Sequence, residues 1–274
     1  MSVNKVADIV ANALKEDIGT GDVSANLLDD KSVSAQIIAR QQAVVCGIEY
    51  AQTAFLLLDN TLQINWHFSD GDTIRASQVL CTLSGGVKGI ISAERVALNF
   101  LQTLCAVATQ TKRLVSKIAH TNAQLLDTRK TLPGLRLAQK YAVRCGGGVN
   151  HRLGLFDALL LKENHIIAAG SIAKAVELAK EKHLKLPLIV EVENLAQLGE
   201  ALDLTGISRV LCDNFSINDL AQAVKMADRK LLLEASGNID DSTIVQVAET
   251  GVDYISTGAI TKNIAAIDLS LRFT

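Results

Sequence analysis

The sequence has no apolar run long enough to cross a bilayer. A membrane-spanning helix needs about 20 consecutive apolar residues, and every run in this chain is shorter. The first 19 residues also lack a signal-peptide core, because charged residues are spread along an amphipathic pattern there. Neither membrane insertion nor export is indicated, so we expect a cytoplasmic protein without a membrane partner.

Paired cysteines, low-complexity tracts and a strong net charge are also missing. The five cysteines include no CxxC pair and are widely scattered. This pattern favours reduced, buried thiols over a disulfide framework or a metal site. Net charge is only −2 at pH 7 and no DNA-binding element is recognisable, so a nucleic-acid partner is not indicated. The cysteines are Cys46, Cys81, Cys105, Cys145 and Cys212.

One stretch, residues 125–165, is locally basic although the chain is not. It opens on a short apolar run ending at Asp127 and closes on a second run ending at Lys162. Runs of this kind are typical of parallel strands covered on both faces, and ligands bind at the carboxyl ends of such strands. We therefore expect a site for a small polyanion. Its candidate cations are Arg129, Lys130, Arg136, Arg144, Arg152 and Lys162, with His151 beside them.

The first part of the chain has a different pattern. Residues 3–15 predict an amphipathic helix, and short strand-like runs with one helix among them fill residues 33–83. These features favour a separate α+β domain. A long helix follows, for which Ser92 is the predicted N-cap. Arg95 would then lie in the first turn of this helix. It is either a solvated surface residue or an arginine that binds an anion, in the second case with the anion in its own subunit or across a subunit boundary.

After this helix, apolar runs and helical segments alternate. The runs end at or near residues 127, 162, 193, 213, 234 and 257, and each intervening segment begins with a polar cap residue. This alternation predicts an open β/α barrel, TIM-like but incomplete because six strands are counted rather than eight. Both prolines, Pro133 and Pro187, stand where a new element begins.

The strand ends fall into three zones of different chemistry. The first is cationic and includes Arg129, His151, Arg152 and Lys162. The second is acidic, with Glu193 and Asp213 suited to ribose hydroxyls or Mg²⁺. The third consists of small residues, Ser236-Gly237-Asn238 and Thr257-Gly258-Ala259, where barrels commonly bind phosphate. Each feature also has a structural interpretation: Gly146-Gly147-Gly148 could simply end a helix, and any one charge could belong to a buried ion pair.

Eight stretches of the chain resemble quinolinate phosphoribosyltransferase. The long central block, residues 126–152, is highly specific, and the other seven extend the resemblance over nearly the whole chain. They read KEDIGTGDVS, ERVALNFLQ, LDTRKTLPGLRLAQKYAVRCGGGVNHR, LLLKENHI, VEVEN, LCDNF, LEASGN and GVDYISTGAITK. The resemblance implies an N-terminal α+β sandwich domain, placed at residues 1–108, and a β/α barrel catalytic domain at residues 109–274. It also implies a homodimer in which each N-terminal domain contributes to the partner's site.

The resemblance further implies the reaction and the residues that perform it. Quinolinate and phosphoribosyl pyrophosphate would give nicotinate mononucleotide, pyrophosphate and CO2 in NAD biosynthesis, with Mg²⁺. Arg95 of the partner, Arg129, His151, Arg152 and Lys162 would surround quinolinate. Lys130 would contact phosphoribosyl pyrophosphate, Glu193 and Asp213 its ribose or metal, and Ser236, Gly237, Asn238 and Gly258 its 5′-phosphate. Lys130, Lys162, Glu193 and Asp213 would be catalytic; the choice between Glu191 and Glu193 depends on strand register, and Glu193 is preferred because it lies nearer the carboxyl end.

Two positions depart from the family pattern. Asn238 stands where many relatives have glycine, and Lys262 stands where some have histidine. Asparagine tolerates left-handed backbone geometry, so the phosphate turn is still expected. Lysine keeps the charge at position 262.

Three other functions fit parts of the pattern. A barrel aldolase would use Lys162 to form a Schiff base. A second alternative is a related transferase that acts on nicotinate, or a transferase-like protein of metal transport. The several cations favour a dicarboxylate ligand over a monocarboxylate such as nicotinate. A sensor of phosphorylated ligands would bind phosphoribosyl pyrophosphate without turnover.

Overall fold

The computed structural model describes residues 3–182 and 185–274. They form two compact units. Of the described residues, the first unit contains 3–112, 133–147 and 264–274, and the second contains 113–132, 148–182 and 185–263. Two separate later segments, residues 133–147 and the C-terminal residues 264–274, therefore belong to the first unit.

The first unit is built on a four-stranded antiparallel sheet in the order β12-β1-β5-β3, with a two-stranded ribbon formed by β2 and β4. Its strands are β1 (Ser32–Ala39), β2 (Ala43–Val44), β3 (Gln63–Trp66), β4 (Thr73–Ile74), β5 (Val79–Gly86) and β12 (Leu269–Phe273). Its helices are α1 (Val3–Ile18), α2 (Ile48–Leu58), α3 (Val87–Lys117, whose last five residues belong to the second unit) and α4 (Arg136–Cys145). The short strands and single helix expected over residues 33–83 are confirmed.

The C-terminal strand explains why residues 264–274 belong to this unit. β12 pairs with β1 in antiparallel register, so that Ile37 lies opposite Leu271. Alternate residues of β1, namely Ala35, Ile37 and Ala39, are buried, which gives the strand one apolar face. A pairing between residues so far apart in sequence has no local signal.

The long helix does not begin where the sequence suggested. It starts at Val87, directly after Gly86, so the predicted N-cap Ser92 is wrong. The Ser92 hydroxyl instead donates a hydrogen bond of 2.8 Å to the Asp22 carboxylate. Arg95 is consequently in the third turn, is exposed, and lies beyond the reach of the helix N-terminal dipole.

Helix α3 is long and apolar enough, by length and composition alone, to cross a membrane. However, 61% of its most apolar window is buried inside the protein. A buried core helix of a folded domain has the same length and composition, so these two properties are weak evidence for a membrane span.

The second unit is a six-stranded parallel sheet in the order β6-β11-β10-β9-β8-β7. Its strands are β6 (Gln124–Leu126), β7 (Leu159–Leu161), β8 (Leu188–Val192), β9 (Arg209–Asp213), β10 (Leu232–Ser236) and β11 (Tyr254–Ser256). Its helices are α5 (Glu163–Ala169), α6 (Ile172–Lys182), α7 (Leu195–Leu202), α8 (Ile217–Ala227), α9 (Ile244–Glu249) and α10 (Ala259–Lys262). The α/β fold with a parallel strand–helix repeat is as expected, and an isolated bridge joins Val149 to Leu126 beside the first strand.

The two faces of this sheet differ in chemistry. Val190, Val210, Cys212 and Ala235 share one face, are buried and form the apolar side. The opposite face carries rows of paired positions, and the row nearest the carboxyl ends joins Asp213, Ser236 and Ser256. The polar side chains of this row therefore come from alternate residues of strands that read as continuous apolar runs.

Candidate active site

Two neighbouring cavities lie at the carboxyl ends of the parallel strands of the second unit. The first has a volume of about 240 Å³, the second about 250 Å³, and they share the side chains of Thr128, Lys130, Ser236 and Ser256. The first cavity is lined by Arg129, His151, Arg152, Lys162, Glu191, Asp213 and Glu234. The second is lined by Gly237, Asn238, Gly258 and Lys262. The strand-end interpretation thus brings most of the candidate residues together.

The first cavity has four cations on its walls, Arg129, Lys130, Arg152 and Lys162. The Lys162 ammonium lies 2.8 Å from the Glu191 carboxylate, while its main-chain N–H donates to His165 Nδ1 at 3.1 Å. Lys162 is therefore fixed at the start of α5 with a charged head group.

Arg152 is in an unusual electrostatic environment. Burial lowers the pKa of its guanidinium, and the nearby positive charge of Arg129 lowers it further, against the opposing effects of Asp157 and Glu191. Its Nη1 also donates a long hydrogen bond of 3.4 Å to the Ala158 carbonyl. Two like charges held close together in a partly buried site favour an anion between them.

His151 lines the cavity, but it differs from the cations beside it. Its Nδ1 accepts the main-chain N–H of Arg152 at 2.7 Å, and its Nε2 lies 3.4 Å from Glu234 Oε1. The buried carboxylate of Asp127 accepts the main-chain N–H of His151 at 2.8 Å and the amide of Asn150 at 2.6 Å. A ring nitrogen that accepts a main-chain N–H carries no proton, so this geometry places the ring proton on Nε2.

The second cavity is formed by two loops, one after β10 and one after β11. Gly237 and Asn238 have φ angles of +98° and +49°, so both are left-handed, and Asn238 Nδ2 donates to Asn214 Oδ1 at 3.2 Å. The expectation that asparagine preserves the turn at position 238 is confirmed. Gly237 has no room for a side chain, because a Cβ there would overlap the Asn214 amide.

Lys130 lies across the second loop. Its carbonyl accepts the Thr261 hydroxyl at 2.8 Å, and a Cβ built on Gly258 would come within 3.0 Å of its Cδ. Lys130 lines both cavities, so a ligand in either one would meet this side chain.

Four predicted residues lie outside these cavities: Glu193, Arg95 and the candidate cations Arg136 and Arg144, which belong to α4 in the first unit. Glu193 follows β8, is exposed, and its main-chain N–H donates to Gln197 Oε1 at 2.8 Å. Glu191, two residues earlier on the same face, lines the first cavity. Arg95 belongs to α3 in the first unit, so its predicted role at a partner's site stays a prediction.

The polar wall residues that the sequence interpretation missed include Thr128, Ser256 and, as a lining residue, Glu234. Thr128 follows a recognised strand end, and its hydroxyl accepts the Lys130 N–H at 3.0 Å. Ser256 and Glu234 lie within strands at alternate positions, so their signal was the period of two along each run.

Comparisons with known proteins agree with this geometry. Residues 8–105 match the N-terminal domain of quinolinate phosphoribosyl transferase and residues 107–272 match its C-terminal domain. The chain belongs to the quinolinate phosphoribosyltransferase family. Its activity is quinolinate phosphoribosyl transfer in NAD biosynthesis, that of a nicotinate-nucleotide pyrophosphorylase (carboxylating).

Relatives of this family resemble the chain over nearly its whole length. A chloroplastic nicotinate-nucleotide pyrophosphorylase of Oryza sativa is 40% identical, covering 96% of this chain and 76% of the relative. A mitochondrial quinolinate phosphoribosyltransferase of Nicotiana tabacum is 36% identical, covering 97% and 81%. The solved nicotinate-nucleotide pyrophosphorylase of Francisella tularensis is 49% identical, with a TM-score of 0.98 over 100% of this chain and 98% of that one.

Proposed function

We propose that the first cavity binds the two carboxylates of quinolinate and the second binds the 5′-phosphate of phosphoribosyl pyrophosphate. The observation that carries this assignment is the set of four cations converging on one cavity, next to a loop pair of the kind that binds phosphate. A dicarboxylate and a sugar phosphate would then lie side by side, with the reacting pyridine nitrogen facing the anomeric carbon.

The dicarboxylate would be held by groups of two kinds. Arg129 and Arg152 present planar forks suited to carboxylates, and Lys162 supplies a point charge. His151 would contribute shape and the position of the Arg152 main chain. This division of roles is supported by the hydrogen bond from Arg152 N–H to His151 Nδ1.

Bond formation would need stabilisation of a transition state with oxocarbenium character. Asp213 and Glu191 line the cavity beside the cations, and Asp213 accepts the Asn214 amide at 2.8 Å. We assign them to the ribose, and Glu193 to the outer rim of the same site. After transfer, the electron pair released when the neighbouring carboxylate leaves as CO2 stays on that ring carbon, where the adjacent pyridinium charge stabilises it until a proton from water takes the place of the carboxylate. No covalent enzyme intermediate is required.

Magnesium would enter with its substrate. Among residues 3–182 and 185–274 there is no cluster of three or more histidine, cysteine, aspartate or glutamate side chains placed to hold a metal. Mg²⁺ commonly uses one or two carboxylates together with substrate phosphates, and Asp213 and Glu191 fit that pattern. The ion would neutralise charge on the departing pyrophosphate.

Ser236, Gly237, Asn238 and Gly258 would bind the 5′-phosphate, with Lys262 adding charge. Left-handed backbone at Gly237 and Asn238 turns successive main-chain groups toward the second cavity. Lys130 would bridge this phosphate region and the reacting centre.

A homodimer with shared sites is part of the proposal. Arg95 is exposed on α3, as a residue donated to a partner would be. Mixing Arg95→Ala with Lys162→Ala protein should restore activity to about a quarter of that of the wild type, because half of the dimers would be mixed and each would hold one intact site. A mixture as inactive as its components would contradict site sharing.

The Schiff-base alternative is disfavoured by the surroundings of Lys162. An imine-forming lysine must be neutral to attack a carbonyl, whereas Lys162 is half exposed and paired with Glu191 at 2.8 Å. Borohydride treatment with a carbonyl substrate should leave no adduct.

The decisive experiment is a product assay with phosphoribosyl pyrophosphate and Mg²⁺, run in parallel with quinolinate and nicotinate. We expect nicotinate mononucleotide and CO2 from quinolinate alone. Equal turnover of nicotinate would show that the cationic cavity does not select a dicarboxylate. Binding of phosphoribosyl pyrophosphate without turnover of either acid would instead favour a sensor.

A further inference from the structure

A charged side chain lies in the middle of the parallel sheet. Glu234 is 0% exposed and occupies the third position of β10, opposite Leu211 of β9 and Tyr254 of β11. Although burial raises its pKa, the neighbouring side chains of His151, Arg209 and Ser256 outweigh that effect and lower it below the usual range. Glu234 is therefore a buried carboxylate with a nitrogen near each oxygen, His151 Nε2 at 3.4 Å and Arg209 Nε at 2.8 Å.

The first partner is Arg209. Its Nε lies 2.8 Å from Glu234 Oε2, its side chain is 15% exposed, and its guanidinium stacks at 4.7 Å over the Tyr254 ring. Cation–π stacking and the ion pair hold Arg209 from two directions. The arginine thus fixes one oxygen of the carboxylate and leaves the other directed to His151.

The second partner is the ring of His151. Because Nδ1 accepts the Arg152 N–H at 2.7 Å, the ring proton is on Nε2, which faces Glu234 Oε1 at 3.4 Å. The order of contacts is Arg209, Glu234, His151, and then the main chain of Arg152. In this order the carboxylate of Glu234 can only accept, His151 presents Nε2–H to it, and His151 Nδ1 accepts the Arg152 N–H.

We propose that Glu234 is a positioning residue of the transferase: together with Arg209 it holds His151 in the Nε2–H tautomer, and His151 in turn fixes the Arg152 main chain. The consequence for catalysis rests on the proposed function, in which the Arg152 guanidinium binds a quinolinate carboxylate. Glu234 and Arg209 themselves need not touch the substrate.

The contacts with Arg209 and His151 require a carboxylate at position 234, and the isosteric amide of glutamine cannot replace it. A carboxylate accepts on both oxygens, whereas an amide has one acceptor and one donor. In Glu234→Gln, the amide NH2 would face either the Arg209 guanidinium or the His151 Nε2–H. Either orientation places two donors opposite each other. When the NH2 faces His151, the conflict is relieved only if His151 changes tautomer and loses the hydrogen bond from Arg152.

Removing Arg209 as well should relieve this conflict. In the double variant Arg209→Met with Glu234→Gln, the amide oxygen can turn to His151 and its NH2 can donate to the Ser256 hydroxyl, which interacts with Glu234 in the native protein. Replacing both members of a buried ion pair is often far less harmful than removing one. The double variant should therefore be better than the single one.

The test uses the intact enzyme with nitrogen-labelled histidine. The His151 tautomer is read from the ring-nitrogen resonances, which are assigned by their loss in His151→Gln. In Glu234→Gln we expect a changed tautomer signature and a rise in KM for quinolinate of roughly 10- to 100-fold, with KM for phosphoribosyl pyrophosphate much less affected. The double variant should recover the wild-type signature and most of the quinolinate KM.

A matched control is Asp253→Asn. Asp253 is also a carboxylate beside β10, where it accepts the Leu233 N–H at 2.8 Å. This change should leave the tautomer and the quinolinate KM unaltered. Thermal unfolding of every variant separates general destabilisation from a local effect.

The outcomes distinguish the inference from the proposed function. An unchanged tautomer in Glu234→Gln would overturn the positioning role. So would a double variant whose quinolinate KM rises as much as the rises in Glu234→Gln and Arg209→Met combined. A changed tautomer with unchanged quinolinate KM, in an enzyme whose Arg152→Met variant also keeps its quinolinate KM, would overturn the assignment of Arg152 and with it the catalytic consequence drawn here.

Discussion

The Lys162 ammonium and the Glu191 carboxylate lie 2.8 Å apart across neighbouring strands β7 and β8. Lys162 is 48% exposed and Glu191 is 14% exposed, so the pair is open to the cavity. A partly exposed ion pair contributes at most about 1 kcal/mol to stability. Its value is therefore in the charge it presents to the ligand, which separates its effect on catalysis from its effect on folding.

Replacing Lys162 with arginine should weaken activity far more than stability. The wider guanidinium cannot occupy the position of a point charge beside Glu191, and we expect a loss in kcat/KM of about 100-fold, as when one electrostatic group is removed from a catalytic site. The free energy of unfolding should change by less than about 1 kcal/mol. Steady-state kinetics and urea unfolding measure the two, and Lys225→Arg on the exposed side of α8 is the control. An unaltered rate would remove Lys162 from the catalytic group.

Gly258→Ala should impair phosphoribosyl pyrophosphate binding by displacing Lys130. The φ angle of Gly258 is −78°, so the backbone accepts alanine, but the new Cβ would lie 3.0 Å from Lys130 Cδ and 3.2 Å from its Cβ. We expect KM for phosphoribosyl pyrophosphate to rise by about 3- to 10-fold, the effect of a shift worth roughly 1 kcal/mol, with less change for quinolinate.

The matched control for that change is Gly199→Ala. Gly199 lies within α7, and a Cβ there would be 3.9 Å from the nearest atom, Met226 Cε. Alanine should stabilise the helix by roughly 0.5–1 kcal/mol and leave both KM values unchanged. Equal effects of the two substitutions on KM would contradict the packing argument for Lys130.

The strand ends were predictable because buried parallel strands are uniform until they reach a polar edge. Asp127, Lys162 and Asp213 each mark that edge within one residue of the observed strand end. Ligand residues inside the strands were less visible, since Glu191 and Glu234 interrupt their runs without ending them. Strand pairing determines which face of the sheet these two side chains occupy. It depends on strand register, which the sequence of a single run does not determine.

The contacts that the sequence could not predict join residues far apart along the chain. Ser92 has the local signature of an N-cap, yet its hydroxyl binds Asp22, 70 residues away. The C-terminal segment gives no sign that it pairs with β1. Likewise, nothing in the apolar run around Glu234 indicates that its carboxylate lies 3.4 Å from the His151 ring.

Asp22 should make stability depend on pH. Hydrogen bonds from the Ala25 N–H, the Ser92 hydroxyl and the Ser24 N–H hold the pKa of Asp22 below its usual value. A carboxyl whose pKa is lowered by folding stabilises the protein above its unfolded pKa, near 3.9, and that contribution disappears as pH falls through the lower folded value. Asp22→Asn should therefore be less stable than wild type at about pH 7, and the difference should shrink in acid. Urea unfolding across this range tests it; a pH-independent difference would mean that the charge has no part in it.

Cys145 should be the first thiol to react with iodoacetamide. It is the end residue of α4 and is partly exposed, whereas Cys46, Cys81, Cys105 and Cys212 are buried. The pKa of Cys145 is lowered, first by its hydrogen bond with Cys46 and then by Tyr141, while burial raises those of Cys81, Cys105 and Cys212 to about 12.

Because the thiolate is the nucleophile, both exposure and pKa favour Cys145 near pH 7. Intact-mass analysis should show one rapid modification, which Cys145→Ser abolishes. Tyr141→Phe should slow it, since the phenol that lowers the thiol pKa is then missing; its hydroxyl also donates to Asp70 at 2.9 Å. Rapid labelling that persists in Cys145→Ser would show that a second thiol becomes exposed in solution.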